Sequence, residues 1–452
     1  MLRALILICL LILSVANLPM RSVTAQQSLD NMIESEMAAL VSTYKALHAA
    51  PELSHYEEKT SALVAKELRA LGYSVIERIG KYKRPEWVGY GVVGVMKNGE
   101  GPVVLVRADM DALPVEEKTG LPYASKVRVK TDAGQEVGVM HACGHDIHVT
   151  ALLGTARMLA RLKDKWRGTL VLVGQPAEET IDGARAMLDD GLYNKIPKPD
   201  YAIALHDNGE IEAGKVGMTP GFALANTTSV DITVRGIGGH GSKPEGAKDP
   251  VVLAAQIILA LQTIVSRETS PLDPAVLTVG SIHGGTRYNI IPEEVKLQLT
   301  VRSYKEEVRQ KILQGIERIA TGTALAAGLP AELAPIVKIS ETEVTPATYN
   351  DPALTERLRT AFIRTLGEKN VVSYPQIMGG EDFGRFGLEG NQIPTVMFWV
   401  GAADPLKLAE SRRTGVPLPS AHSPYFAPVP EPTIRTGVKA MTSAVLELMK
   451  KS

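Results

Sequence analysis

Short apolar runs alternate with amphipathic stretches in the first half of the chain. Four runs have the length and the β-branched composition of buried strands, namely residues 92–96, 103–106, 169–173 and 202–205. Apolar residues recur at helical spacing over 26–69, after which Gly72 is a helix stop, and again over 147–162. Strands that alternate with helices in this way predict an α/β domain around a mixed, largely parallel sheet.

The pattern changes after Lys215. Half-exposed strands and longer helices are then predicted in the order strand, helix, strand, strand, helix, strand, at 227–235, 249–266, 275–281, 295–303, 306–325 and 331–339. This βαββαβ order is that of a ferredoxin-like sandwich. Because helical spacing of the first type resumes at 352–366, the sequence predicts a catalytic domain in two parts, 26–216 and 336–452, with a ferredoxin-like α+β domain inserted at 217–335.

Composition narrows the classes of partner. The chain has 452 residues, which favours two domains, and its 45% hydrophobic and 22% charged residues are ordinary for a soluble globular protein. A formal net charge of -1 and an aromatic content of 5% favour neither nucleic acid nor an anionic membrane as partner.

The N-terminus has the pattern of a targeting segment. Arg3 precedes an apolar stretch at 5–15, and small residues end it at Ala25, which predicts a signal peptide at residues 1–25 and an exported protein, periplasmic or secreted. An uncleaved anchor is the alternative, and no later stretch is expected to reach membrane-spanning length. Cleavage would remove Cys9 and leave the mature protein with the single thiol of Cys143, without membrane contact.

The densest cluster of ligand-type side chains lies at residues 141–148. Cys143 and His145 are two residues apart with Gly144 between them, and a turn this tight can direct a thiolate and an imidazole at one divalent metal. A loop of polar residues that satisfy one another is the alternative. Next to these ligands, His141, Asp146 and His148 are better interpreted as supporting residues than as ligands.

Other candidate residues follow predicted strands. Glu178 and Glu179 come directly after the strand at 169–173, where one carboxylate can bind metal while its neighbour accepts a proton from water. A solvated acidic turn is the alternative. His206 ends another strand, and His422 lies in a proline-rich stretch at 417–432 that we expect to be an ordered active-site loop.

These motifs occur together and in one order. They are HAAPEL at 48–53, RADMDALP at 107–114, ACGHD at 142–146, the Glu178–Glu179 pair, GHGS at 239–242, NIIP at 289–292 and SAH at 420–422. In them the chain resembles the dinuclear metallopeptidases. Within that group it resembles the branch of hippurate hydrolase, auxin-conjugate (IAA-amino acid) amidohydrolases, N-acyl-amino-acid amidohydrolases and related carboxypeptidases.

The resemblance implies roles for matching residues. Two divalent metal ions, Zn, Mn, Co or Ni, would be held by Cys143, His145, Glu179, His206 and His422. Glu178 would be the general base that takes a proton from metal-activated water. Arg107 stands where relatives outside this branch have a metal-binding His, so Cys143 would be the compensating ligand. Asp109 would orient a ligand from outside the coordination sphere, with a purely structural strand-end carboxylate as the alternative.

The inserted domain carries the predicted substrate contacts. The resemblance implies that His240 helps to stabilise the tetrahedral intermediate, often across a homodimer that the inserted lid/dimerisation domain builds. Asn289 and Arg287 lie in the corresponding substrate-facing turn. A planar guanidinium suits a substrate α-carboxylate, although Arg287 on a surface turn is the alternative.

The predicted function is hydrolysis of the amide bond of N-acyl or N-aroyl amino acids by an exported, metal-dependent amidohydrolase. A metallocarboxypeptidase or dipeptidase acting on short peptides is the alternative, since the motifs do not separate the two. A non-catalytic binding protein would be expected to lack Glu178 or a ligand, and a structural zinc site would carry paired cysteines. Inactivation by a chelator, reversed by added metal, would exclude a hydrolase that uses Cys143 as nucleophile.

Overall fold

A computed structural model describes residues 20–131, 134–388, 390 and 392–451. Residues 1–19 of the predicted leader lie outside the described residues. Residues 20–25 of the leader are the start of the first described helix. The helices are α1 (Met20–Ala49), α2 (Glu58–Ala70), α3 (His145–Arg161), α4 (Gly183–Asp189), α5 (Leu192–Lys195), α6 (Pro250–Thr263), α7 (Glu306–Ala326), α8 (Pro352–Leu366), α9 (Pro405–Thr414) and α10 (Pro430–Leu448).

The strands of the described residues form five sheets. They are β1 (Ser74–Ile79), β2 (Gly91–Asn98), β3 (Val103–Asp109), β4 (Arg128–Lys130), β5 (Glu136–Gly138), β6 (Gly168–Gln175), β7 (Tyr201–Glu212), β8 (Val216–Met218), β9 (Gly221–Leu224), β10 (Asn226–Arg235), β11 (Gly239–His240), β12 (Ala275–Gly284), β13 (Ile290–Ile291), β14 (Glu294–Ser303), β15 (Ile336–Thr345), β16 (Thr348–Asn350), β17 (Val371–Ser373) and β18 (Thr395–Ala403).

The large sheet has eight strands in the order β1-β2-β6-β3-β7-β18-β8-β17. The four central strands, β6, β3, β7 and β18, run parallel to one another, and β1 and β2 pair antiparallel at one edge. Every residue of β6 is buried, because α1, α3, α8 and α10 cover one face of the sheet and α4 and α5 the other. Burial on both faces explains why these strands are continuous apolar runs in the sequence.

The second domain is a four-stranded antiparallel sheet in the order β12-β14-β10-β15, with α6 and α7 packed against it. Its chain order is β10, α6, β12, β14, α7, β15, which is the ferredoxin-like arrangement. The predicted α/β fold with an inserted ferredoxin-like domain is therefore confirmed.

The pairing of the strands gives the insert other boundaries than the predicted ones, residues 217 and 335. Gly217 lies in β8, which pairs with β17 and β18 of the large sheet. β15 lies beyond residue 335, yet it pairs with β10 of the small sheet, so the insert extends from β10 to residue 345. The helical stretch predicted at 26–69 is two helices, because Pro51 disfavours helical backbone at and before its position.

One helix of the small domain is strongly apolar. The described helix Pro250–Glu268, which is α6 with a π-helical turn at its end, has a mean hydropathy of 1.6 and meets the length and composition of a membrane span. The expectation that no later stretch reaches this length was wrong. Leu253, Ile257 and Leu261 bury one side of this helix against the small sheet, while Leu259 on the other side is 72% exposed.

Candidate active site

The predicted metal ligands and Glu178 collect near the carboxyl ends of the central parallel strands. Asp109 ends β3 and lies in register with Gln175, which ends β6. His206 lies on β7 beside Trp399 of β18. A cavity of about 1000 Å³ opens at this edge and also reaches the small domain, where Thr227, Ser229, Thr300, Arg302 and Glu343 line it. Ligands of open α/β sheets bind at this end of the strands.

A glycine turn presents the first two ligand-type side chains. Gly144 has a φ of 76° and precedes the first residue of α3. A Cβ at this position would lie 2.4 Å from the carboxylate oxygens of Asp207. Both the left-handed backbone and the lack of space therefore require glycine, and the turn brings Cys143 and His145 to the same side.

The structure brings the five predicted ligands together. Sγ of Cys143 lies 3.5 Å from Nε2 of His206, Nε2 of His422 lies 3.4 Å from Oε2 of Glu179, and Nε2 of His145 lies 3.8 Å from Oε1 of Glu179. Two ligands at tetrahedral positions around one zinc-type ion are about 3.4–3.6 Å apart. The side chains thus have the spacing of groups that share a metal ion.

The free ring nitrogens fit a metal as well. His206 donates from Nδ1 to the carbonyl of Asp207 (2.7 Å), and His145 donates from Nδ1 to the carbonyl of Asp111 (2.8 Å). Each ring therefore uses Nδ1 for a backbone carbonyl, which leaves Nε2 as the nitrogen that a metal ion can bind. Within the described residues, Nε2 of His145 and Oε1 of Glu179 are buried without a hydrogen-bond partner. Groups of this kind are what a divalent cation would satisfy.

Burial sets the protonation of the site in the protein alone. Burial, and then the charge of His148, lowers the pKa of His206 well below its ordinary value, so its ring is neutral as a ligand must be. Burial, and then Glu179 and Glu178, raises the pKa of the Cys143 thiol. Burial, and then Glu381 and Glu179, raises the pKa of Glu178, which suits a group that must hold a proton during a reaction.

Arg107 organises the carboxylates behind the site. This fully buried guanidinium donates from Nη1 to Asp109 (2.6 Å) and from Nη2 to Glu381 (2.8 Å), and Nε donates to Gln175 (2.8 Å). Asp382 lies 3.4 Å from Nη2. Arg107 thus binds the acids around the cluster, and Glu381 and Asp382 orient it.

Asp109 and two residues flanking the Cys143 turn support the ligands. Oδ1 of Asp109 accepts a hydrogen bond from Nδ1 of His148 (2.5 Å), and its Oδ2 lies 3.6 Å from Nε2 of His145. Asp146 accepts from Nδ1 of His48 at 2.7 Å, which ties the turn to α1. These contacts agree with a role for Asp109 in orienting ligands.

The predicted substrate residues of the insert lie apart from the cavity. His240 and Asn289 are neighbours across the short β11–β13 pairing, where Gly241 donates to the carbonyl of Asn289 (2.9 Å). They and Arg287 are exposed at one end of the small domain, and none of the three lines the cavity within this chain. Their role in binding substrate stays a prediction.

Arg302 is a cavity-lining cation that the sequence reasoning missed. It lies on β14, is about half buried, and donates from Nη1 to the carbonyl of Met378 across the domains (2.8 Å). The signal was present in the alternation of β14, which leaves Thr300 and Arg302 on the partly exposed face. The alternation shows which residues share one face of the strand, but it does not show which part of the protein that face contacts.

A largely parallel sheet that carries clustered nitrogen, sulfur and carboxylate ligands beside a buried glutamate defines a metallohydrolase. The model of Peptidase family M20/M25/M40 matches residues 105–447. The hippurate hydrolase of Campylobacter jejuni is 39% identical over 342 residues, 75% of this chain and 82% of that protein. Thermostable carboxypeptidase 1 of Saccharolobus solfataricus is 36% identical over 371 residues, 81% and 87% of the two chains.

A solved structure is similar to this chain and belongs to the same family. The YXEP protein of Bacillus subtilis, described as a dinuclear metal binding peptidase from the M20 family, superposes with a TM-score of 0.71 at 27% identity, over 92% of this chain and 99% of that one. The chain belongs to Peptidase family M20/M25/M40, and it is a hydrolase that acts on amide bonds. The predicted family and reaction class are confirmed.

Proposed function

We propose that the protein hydrolyses the amide bond of N-acyl or N-aroyl amino acids with the help of two divalent metal ions. The observation that carries this proposal is the approach of Cys143, His145, Glu179, His206 and His422 to one another, with Glu178 beside them on the cavity. The relative named hippurate hydrolase supports the substrate class. Arg302 offers the cavity a cation for a substrate carboxylate.

The ligand set divides into two overlapping groups. Cys143, His145 and His206 form one, and Cys143, Glu179 and His422 form the other. Mixed sulfur, nitrogen and oxygen ligands suit Zn, Mn, Co or Ni. When bound, such ions supply Lewis-acid polarisation of the amide carbonyl and lower the pKa of water.

Glu178 performs the proton transfers in this proposal. Its carboxylate takes a proton from the attacking water and passes it to the nitrogen of the leaving amine. Glu178 is buried at the cavity wall, which shields this carboxylate from bulk water. Arg107 donates hydrogen bonds to Asp109 and Glu381 and so holds both acids in place.

The decisive experiment pairs metal analysis with a substrate panel. Glu178→Gln is expected to retain the metal content of the wild type and to lose at least about 100-fold in kcat, since it keeps the shape but not the base. Release of amino acid from N-benzoyl, N-acetyl and dipeptide substrates would be measured for both proteins. Turnover by Glu178→Gln near the wild-type rate would disprove the role of Glu178.

A carboxypeptidase or dipeptidase is the second candidate, supported by the relative named thermostable carboxypeptidase 1. The same metal ligands and the same base serve both reactions. The panel separates the two, because an amidohydrolase of N-acyl amino acids would cleave N-benzoylglycine with a kcat/KM well above that for dipeptides. The reverse order would favour the peptidase.

Two further parts of the proposal concern the whole protein. The apolar N-terminal segment supports an exported enzyme, periplasmic or secreted, and N-terminal sequencing of protein from the cell envelope or medium tests cleavage after Ala25. The exposed apolar side of α6, with Leu259 at its centre, supports a homodimer through the inserted domain. Nothing in the net charge favours nucleic acid as a partner.

A further inference from the structure

The loop that presents Glu178 and Glu179 has an unfavourable backbone. We call residues 176–183 the catalytic loop. Ala177 and Ile181 both have a φ of 52°, in the left-handed region that non-glycine residues seldom adopt. The loop closes on itself, because Gly183 donates to the carbonyl of Ala177 (3.0 Å) and Ile181 to that of Glu178 (2.6 Å). Such a backbone persists only where its surroundings hold it.

The catalytic loop is held at several backbone groups. Asp111 accepts a hydrogen bond from the amide of Glu179 (3.0 Å), and Asp382 accepts one from Ala184 (2.8 Å), just beyond the loop. Both acids contact the network around the metal ligands. At the strained start of the loop, Oε1 of Glu57 accepts a hydrogen bond from the amide of Ala177 at 2.7 Å.

Glu57 is well placed for this contact. Its side chain is fully buried, and the same Oε1 also accepts from the amide of His55 (3.0 Å). Glu57 immediately precedes α2, whose residues Val64 and Leu68 are buried against the large sheet. A Cβ at Gly94 of β2 would lie 2.8 Å from Leu68, which shows how closely the helix packs on the strand. The acceptor therefore starts from a rigid element.

His55 reinforces the same side of the loop. Its Nε2 donates to Oδ1 of Asp182 (3.1 Å), and the hydroxyl of Thr180 donates to the same oxygen (2.8 Å). The ring of Trp87 stacks on His55 with centroids 3.6 Å apart. Glu57 accepts a hydrogen bond from the amide of His55, and it thus also supports the contact between His55 and Asp182 at the end of the catalytic loop.

We propose that Glu57 is a positioning residue, which holds the catalytic loop so that Glu178 and Glu179 are aimed at the reacting centre. It acts through the backbone of Ala177 and touches neither substrate nor metal. The effect of Glu57 on turnover, through Glu178, rests on the proposed function. The effect of Glu57 on metal binding, through Glu179, does not depend on the substrate.

Glutamine is the conservative replacement at this position. Both hydrogen bonds use Oε1 as acceptor, which the amide oxygen of glutamine retains. The other oxygen, Oε2, has no hydrogen-bond partner in the part of the chain that the structure describes. Burial, and then the charge of Asp111, raises the pKa of Glu57 well above its ordinary value, so its neutral form resembles the glutamine amide. Alanine removes the acceptor altogether.

The test compares Glu57→Gln, Glu57→Ala and Glu57→Asp in the full chain. Zn²⁺ affinity would be measured by competition with a chromogenic chelator, and kcat and KM with the best substrate of the panel. We expect Glu57→Ala to weaken Zn²⁺ binding about 10- to 100-fold and to lower kcat by a similar factor, with KM within about 3-fold. Glu57→Gln should stay within about 3-fold of wild type on all three measures.

Asp351→Ala is the matched control for lost stability. Asp351 caps α8 by accepting from the amide of Leu354 (2.7 Å), so its removal destabilises the fold without reaching the catalytic loop. It should lower the melting temperature but leave Zn²⁺ affinity and kcat unchanged. Equal losses in Asp351→Ala would overturn the proposal, because the effect would then be general.

The remaining outcomes are also decisive. If Glu57→Ala does not fold, Glu57→Asp carries the test, since its shorter side chain moves the acceptor away from Ala177 and should give a smaller loss of the same kind. Wild-type Zn²⁺ affinity and kcat in Glu57→Ala, or a loss in Glu57→Gln as large as in Glu57→Ala, would overturn the proposal. If the wild type cleaves no panel substrate, the proposed function fails, and the Zn²⁺ affinities still decide the role of Glu57.

Discussion

Arg107 does not bind metal itself but orients the acidic side chains around the proposed metal ligands. It lies on β3 where relatives outside this branch are expected to have a metal-binding histidine, and a permanently charged guanidinium cannot take that role. Here it neutralises Asp109, Glu381 and Asp382, all of them buried. Burial of Asp109 is outweighed by Arg107 and two neighbouring histidines, which lower the pKa of that carboxyl, whereas burial raises the pKa of Glu381 and raises that of Asp382 to about 7. The cation thus orients three acids beside a site that must bind further positive charge.

Arg107→Met should destabilise the fold strongly, because it leaves buried carboxylates without their partner. We expect a loss of about 3–5 kcal/mol in the free energy of unfolding, measured by urea denaturation of metal-saturated protein. Arg435→Met is the control, since Arg435 makes partly exposed ion pairs with Glu34 and Glu431 and should lose less than about 1 kcal/mol. Equal losses in the two variants would contradict the organising role of Arg107.

Arg302 and Arg287 are rival candidates for binding a substrate carboxylate. Arg302 lines the cavity, whereas Arg287 lies exposed at the far end of the small domain. If Arg302 binds the carboxylate, Arg302→Gln should raise KM about 10- to 100-fold through loss of a charge-assisted hydrogen bond, with a smaller change in kcat. Steady-state kinetics of Arg302→Gln and Arg287→Gln decide between them, and a larger KM change in Arg287→Gln would favour the original prediction.

At the scale of elements, the site depends on where strands end and helices begin. The first turn of α3 carries His145, and the turn before it carries Cys143, so the helix fixes the separation of two proposed ligands. The catalytic loop follows β6 in the same way, and β7 carries His206. Parallel register between β3, β6 and β7 aligns these ends at one edge of the sheet.

Gly144→Ala should disrupt the metal site through this turn. The substitution adds both a left-handed alanine and a clash with Asp207, so we expect Zn²⁺ affinity to fall more than about 10-fold in chelator competition. Gly415→Ala separates the two causes, because Gly415 at the end of α9 has the same left-handed backbone (φ 75°, ψ 3°) and no atom within 4 Å of an added Cβ. It should lose about 1 kcal/mol of stability and keep its metal. Unchanged Zn²⁺ affinity in Gly144→Ala would argue against a ligand role for Cys143 and His145.

At the scale of the whole molecule, the cavity belongs to two domains. The catalytic domain supplies the ligands and Glu178, and the insert supplies Arg302 and its neighbours on β10 and β14. Arg185 of α4 also reaches the insert, where Nη1 donates to the carbonyl of Glu341 (2.8 Å). The orientation of the insert therefore sets how close its side chains lie to the metal ligands.

Leu259→Glu tests the proposed dimer. A charge in the apolar surface of α6 should convert a dimer to a monomer in sedimentation velocity, because desolvating a carboxylate at an interface is unfavourable. If His240 acts across the dimer, activity should fall as well. Leu406→Glu is the control, since Leu406 is 82% exposed on α9 of the other domain. A wild type that sediments as a monomer with full activity would remove both the dimer and the role of His240.

Much of the architecture was predictable because local patterning and chain order constrain it. Buried central strands are continuous apolar runs, and the βαββαβ order allowed a ferredoxin-like insert to be predicted. The end of the insert was placed at 335, inside the last strand predicted for it at 331–339, whereas β15 pairs with β10 as far as residue 345. The alternation of a strand does not show where its pairing ends. The break between α1 and α2 was missed although Pro51 indicated it.

The sequence by itself determined the family, the type of ligands and the pair of glutamates, because each depends on residue identity and spacing within short motifs. Only the tertiary structure decided which side chains share the cavity. It placed Arg302 there and His240, Asn289 and Arg287 outside it within one chain, and it joined Glu57 to the catalytic loop 120 residues away. The physical reason is that burial and hydrogen bonding between distant segments arise from packing, which no local pattern encodes.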